Sequence, residues 1–293
     1  MLKKFTLLLL LLVATPIQAD IRIFACEPEW AALARALGGE QLNIYTATTN
    51  QQDPHHIQAR PSLIAKARRA DLLICTGAEL EIGWLPLLLR KSGNSRIQVG
   101  QFGHFMATDY VTLLDKPTQL NRSQGDVHSS GNPHIHLDPE RMLQVAESLT
   151  KTLIQIDPAN QLIYQTKLKG FSQKWQAMMN QWDKQIFKNK SIVVYHNSWI
   201  YLQQWLSLNQ VATLEPKPGI PPTSSHLRRL LFALQQSSAQ MIIYASYQDD
   251  KAAKWLARKT GIPIVALDSS PATGESLIHW FERLVNQIET VLK

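Results

Sequence analysis

Short β-branched runs and stretches of helical period alternate twice along this 293-residue chain. In the first third the runs are residues 21–26, 41–48, 71–77 and 96–100, separated by helical patterns at 30–37, 61–69 and 80–91. In the last third the runs are 191–196, 211–215, 240–246 and 262–268, with helical patterns at 224–236, 249–260 and 275–292. Parallel strands cannot be joined by a tight turn. Each pair needs a crossover, usually a helix, so the alternation restricts the chain to an α/β architecture. Two separate blocks, in a chain too long for one average core, predict two lobes, each a mostly parallel sheet flanked by helices.

The tract between the blocks is polar, without proline from residue 160 to 187, and carries Leu162, Tyr164, Leu168, Phe171, Trp175, Met178 and Trp182 at near-helical spacing. It predicts one long helix of about 28 residues, roughly 40 Å, joining the lobes. The boundaries read from the sequence are a first lobe at 20–158, the linking helix at 159–188 and a second lobe at 189–293. Residues 114–133 are polar, rich in Ser, Asn, Gly and Pro, and aperiodic, which predicts a surface loop.

Residues 1–19 have two lysines, an apolar stretch from Phe5 to Ala14 and a small-residue exit, the pattern of a secretory signal peptide. A lipoprotein reading centred on Cys26 fits less well, because Asp20 and Arg22 separate that cysteine from the apolar run. Without Lys3 and Lys4 the chain has 28 basic and 23 acidic residues, a net of +5. No dense basic patch with interleaved aromatics points to nucleic acid, and no later apolar stretch is long enough to span a membrane. The two cysteines, Cys26 and Cys75, end the first and third runs. Those strands are neighbours in a doubly wound sheet, so a disulfide is expected in an exported protein, against the alternative of two buried thiols.

Four side chains stand at comparable places in the pattern. His55 follows the second run in Asp53-Pro54-His55, and His196 ends the run Ile192-Val193-Val194-Tyr195. Asp268 ends residues 262–267, and His134 sits between Asn132-Pro133 and a helix start at Asp138-Pro139. Ligands collect at the carboxyl ends of parallel strands, and three imidazoles with one carboxylate suit Zn²⁺. His136 is weighed as an alternative ligand. His56, His104, His226 and His279 are read as non-ligands, Glu215 as a solvated loop carboxylate against the alternative of a group that supports a ligand from behind, and the tryptophans as core.

At these residues the chain resembles the solute-binding proteins of zinc and manganese ABC importers, and within them the zinc-type members. Asp53-Pro54-His55 with Pro61-Ser62, Asn132-Pro133-His134 with Leu137-Asp138-Pro139, Tyr195-His196-Asn197 with Tyr201, and Leu267-Asp268 are similar to the family's four elements. The resemblance covers essentially the whole mature chain. It implies that His55, His134, His196 and Asp268 bind the metal in the interlobe cleft, two from each lobe. It further implies a monomeric periplasmic protein that is not an enzyme, carrying Zn²⁺, with Mn²⁺ as the other candidate, to a permease in the inner membrane. Manganese-type members tend to have Glu in place of His196, so three histidines favour zinc. The chain departs from the pattern in lacking a long His-rich loop, with only His128 in residues 114–133, and in having His136 where an aromatic is usual. An exported zinc hydrolase is the competing function, but no H-E-x-x-H and no carboxylate beside a ligand supplies a general base.

Overall fold

The computed structural model describes residues 20–118, 125–236 and 238–293, and the expected signal peptide lies outside them. The elements follow in the order β1 (Ile21–Ala25), α1 (Pro28–Gly38), β2 (Leu42–Thr46), α2 (Pro61–Arg69), β3 (Leu72–Cys75), α3 (Leu85–Ser92), β4 (His104–Met106), α4 (Pro139–Ile156) and α5 (Gln161–Met179). The second block continues with β5 (Ser191–Val194), α6 (Ile200–Leu206), β6 (Asn209–Thr213), α7 (Ser224–Gln236), β7 (Met241–Ala245), α8 (Lys251–Thr260), β8 (Ile264–Leu267) and α9 (Leu277–Leu292). They form two four-stranded sheets, β2-β1-β3-β4 and β6-β5-β7-β8. Each strand pair is parallel. The two-lobe α/β expectation holds, and both lobes use the same strand order.

Period-two alternation separates the layers. Ile23, Ala25, Leu72 and Ile74 of the first sheet, with Ile192, Val194, Met241 and Ile243 of the second, enter one continuous core that also holds Trp30, Trp175, Trp280 and Phe281. The opposite faces are covered separately: Phe24, Cys26, Leu73 and Cys75 by α2 and α3, and Val193, Tyr195, Ile242 and Tyr244 by α7 and α8. A shared apolar core between the lobes resists relative motion far more than a polar interdomain contact would.

Two expectations are corrected. Residues 96–100 are not a strand: the Asn94 side chain accepts from Arg96 N at 3.1 Å and caps a 3-10 turn at Ser95–Ile97. A local side-chain acceptor here outcompetes the ladder. The chain rejoins the sheet only at β4, past Gly103, where a Cβ would stand 2.5 Å from Arg96 O and 2.6 Å from Asp71 O.

The linking tract is also shorter than its pattern. Helix α5 has 19 residues, about 28 Å. Trp182 kept the period going from beyond the helix end, because its ring packs edge-on against Trp205 and its Nε1–H donates to Asn286 Oδ1 at 2.8 Å. Helix α5 packs on α1, α4 and α9, so it touches both lobes. Helix α6 was not anticipated. Among the described residues no helix is long and apolar enough to cross a membrane.

Cys26 and Cys75 form the expected disulfide between the ends of neighbouring β1 and β3, with Cα atoms 4.8 Å apart. Cys26 and Cys75 are both fully buried. Beside it Glu27, Glu29 and Glu81 are buried together. Burial, opposed by hydrogen bonds from the Thr76 and Gly77 backbone N–H groups, lifts the Glu81 carboxyl to about 7. Burial and then the Glu81 and Glu29 charges raise Glu27 as well.

A raised folded-state value means that the native protein holds the proton more tightly than the unfolded chain does. The stability tied to Glu81 is therefore full below about pH 4.5 and is lost as pH rises to about 7, by roughly 3 kcal/mol. Urea unfolding of the metal-free protein across this window should show the fall, and Glu81→Gln should make it smaller, leaving the share that the buried Glu27 carboxyl contributes in the same direction. An unchanged slope in that variant would refute the assignment.

Candidate metal centre

Each of the three histidines is delivered by a separate local device. Asp53 caps a 3-10 turn at Pro54–His56, its Oδ1 accepting from His55 N at 3.0 Å and from His55 Nδ1 at 2.8 Å. Burial would raise the Asp53 carboxyl, but the His55 contacts outweigh it and hold the group below its ordinary value. His134 stands before a 3-10 turn at Ile135–Leu137, its N–H donating to Asn132 Oδ1 at 3.1 Å. Asn132 in turn donates from Nδ2 to Asn197 O at 2.7 Å, and its own carbonyl accepts from Tyr201 Oη at 2.6 Å, which ties the first lobe's turn to the second lobe.

His196 follows β5, and its Nδ1 donates to Glu215 Oε2 at 2.7 Å. Register explains the pairing. Leu214 N donates to Val194 O and Glu215 N to Tyr195 O, so the parallel ladder carries Glu215 alongside His196. Glu215 is 8 % exposed, not a solvated loop carboxylate as expected. Carboxylates on the Nδ1 atoms of His55 and His196 fix both tautomers and leave each Nε2 as a lone pair, the arrangement seen behind metal-bound imidazoles.

The three rings form a nearly regular triangle, with centroids 5.8 Å (His55 to His134), 5.9 Å (His55 to His196) and 5.8 Å (His134 to His196) apart. One ligand atom from each lies within 4.8 Å of the others. Nitrogens on a tetrahedral zinc are about 3.3–3.4 Å apart, so closure requires at most about 1.5 Å of approach. His134 is the most telling member, because its Nε2 is buried and has no hydrogen-bond partner. Burial first, then the neighbouring histidines, hold this ring well below its ordinary pKa, so it is a neutral donor. An open cleft of about 390 Å³, lined by Asp115, Asp126, His128, Asn197 and Lys217, leads to His134 and His196.

Asp268, expected as the fourth ligand, does not join this group. Its Oδ2 accepts from Arg283 at 2.9 Å and its Oδ1 from the Ser246 hydroxyl, while Arg283 also binds Glu275. Nothing local in the sequence announced Arg283, 15 residues downstream on α9.

His136 fills an aromatic's place: its ring lies 6.5 Å from Trp30 and 6.3 Å from Trp280, and its Nε2 pairs with Ser269 O at 3.0 Å. His56 and His279 are exposed, and His104 and His226 pair with the backbone carbonyls of Ile97 and Thr213. His128 lies closer than the sequence suggested. Its Nε2 is 3.3 Å from His55 Nε2, and burial, then the His55 ring, lowers its pKa to about 4.

The chain resembles known proteins over most of its length. A manganese ABC transporter substrate-binding lipoprotein, PsaA of Streptococcus pneumoniae, is 24% identical over 272 residues, covering 89% of this chain and 84% of its own. The metal ABC transporter substrate-binding lipoprotein FimA of Streptococcus parasanguinis is 25% identical, covering 84% and 79%. These relatives are substrate-binding proteins, not enzymes. A crystal structure of ZnuA superimposes with a TM-score of 0.77 at 19% identity, covering 94% of this chain and all of the other. A laminin-binding adhesin, Lmb of Streptococcus agalactiae, does so with 0.76 at 18%, again over 94% and 100%. Residues 23–291 match the family described as zinc-uptake complex component A, periplasmic, and the chain accordingly belongs to the ZnuA family.

Proposed function

We propose that this protein is the substrate-binding component of a metal ABC importer, that it captures Zn²⁺ between its lobes, and that it passes the ion to a membrane permease. The observation that carries the reading is the convergence of three ring nitrogens from both lobes, with the His134 Nε2 left buried and unpartnered. A buried polar atom without a partner costs about 1–3 kcal/mol, and a metal removes that penalty. His55, His134 and His196 are the ligands in this reading. The expected export to the periplasm belongs to the same reading and is supported by the family description; the expected monomeric state is part of the proposal.

Zinc is preferred over manganese because three imidazoles suit Zn²⁺, whereas Mn²⁺ favours carboxylate, carbonyl and water oxygens. Relatives named for manganese make this the point to test. Metal analysis of the protein from its native compartment, with Zn²⁺ and Mn²⁺ competing in vitro, should return zinc. His196→Glu should shift the Zn²⁺/Mn²⁺ affinity ratio toward manganese by at least about tenfold, an energy of about 1.4 kcal/mol. An unchanged ratio would remove His196 from the ligand set.

A further inference from the structure

Four-coordinate zinc needs one donor beyond the three histidines, and the carboxylate expected to supply it is engaged elsewhere. Using Asp268 would break its contact with Arg283, a guanidinium held in turn by Glu275 at 3.0 and 3.2 Å. His128 makes no comparable commitment on the side facing the site. Its Nε2 lies 3.3 Å from His55 Nε2, a nitrogen that must present a lone pair because the His55 Nδ1–H is donated to Asp53. Two facing ring nitrogens at this distance call for a cation or a proton between them. The spacing also equals the edge of a zinc tetrahedron, about 3.3–3.4 Å for Zn–N bonds of 2.0–2.1 Å.

The segment carrying His128 is anchored to both lobes. On one side the Glu79 carboxylate, on a backbone at φ 62°, accepts from Ser129 Oγ at 2.5 Å and Ser130 Oγ at 3.0 Å. On the other side Asp126 N donates to Pro218 O at 3.0 Å. Gly125 permits that approach, since a Cβ there would stand 1.9 Å from Pro218 O. The turn Pro218–Gly219 is itself tied to the site, because Gly219 N donates to Glu215 Oε2 at 2.9 Å. An imidazole held from both sides within reach of His55 is positioned as a ligand.

We propose that His128 is the fourth metal ligand in this chain, in place of Asp268, giving an all-imidazole tetrahedral zinc site. This rests on the metal-capture reading above and deepens it. Four nitrogen donors, with the Asp53 and Glu215 carboxylates on the far side of two rings, discriminate against Mn²⁺ more strongly than three nitrogens and one oxygen.

The test is Zn²⁺ titration against a competing chelator with the mature protein and the variants His55→Ala, His128→Ala and Asp268→Asn, alongside zinc X-ray absorption on the unaltered protein. His55→Ala and His128→Ala should each weaken binding by more than about 100-fold, beyond the roughly 10–100-fold that outer-shell partners cost. Asp268→Asn should stay below about tenfold, the lower limit of such outer-shell losses. The absorption spectrum should fit four imidazole nitrogens, a count that does not depend on how any variant folds. Full binding by His128→Ala while His55→Ala loses it, or a spectrum with a carboxylate oxygen, overturns the His128 assignment and leaves metal capture standing. Unimpaired binding by His55→Ala would overturn the capture reading itself.

Discussion

Replacing His134 with alanine is expected to weaken Zn²⁺ binding by more than about 1,000-fold, an energy above ~4 kcal/mol, while the metal-free protein keeps its fold. The ring contributes no side-chain hydrogen bond from Nε2 in the absence of metal, so truncation removes an unsatisfied buried atom as well as some packing. Those effects oppose each other. The lobes, moreover, are held together by a common core containing Trp30, Trp175 and Trp280, not by the ion alone.

Zinc at a thousandfold excess over its dissociation constant should stabilise the unaltered protein by about 4 kcal/mol, and this gain should vanish in the variant. Thermal unfolding with and without zinc, beside chelator competition, reads both quantities. Collapse of the metal-free variant would make the site structural. A double change at His104 and His279, which lie outside the cluster, should leave affinity intact.

Loss of the Cys26–Cys75 bridge is expected to cost about 4 kcal/mol, the chain-entropy value for a loop closed across 49 residues. Zinc affinity should be unaffected, because the bridge staples β1 to β3 within the first lobe and shares no hydrogen bond with His55, His134 or His196. Denaturant unfolding of the reduced protein, followed by a zinc titration under the same conditions, separates the two. Reduced protein that no longer binds zinc would contradict this division of labour.

Much of the architecture was legible because its signals are local. Continuous apolar, β-branched runs such as residues 191–194 and 241–245 marked central strands, Asp138-Pro139 marked a helix start, and Asp53-Pro54-His55 marked a capped turn. Strand ends in a parallel sheet converge at one edge, and His55 and His196 stand beyond the carboxyl ends of β2 and β5 there; the Cys26–Cys75 pairing follows from the same topology.

What the sequence left open was decided by groups distant in it. Residues 96–100 have strand composition, but a cap from Asn94 and the close passage of Gly103 past Asp71 moved the pairing to β4. Trp182 carried the helical period although its packing against Trp205 is tertiary. Glu215 becomes a partner of His196 only when β5 and β6 lie in register, and Asp268 is claimed by Arg283 only when α9 docks.

His128 meets His55 across 73 residues, through a segment whose sequence has no period at all. Sequence patterns report what a residue does to its neighbours within a turn or two. The charge, tautomer and availability of a metal ligand depend on whichever side chains the fold brings within about 3 Å, and that is settled only when the two lobes close on their common core.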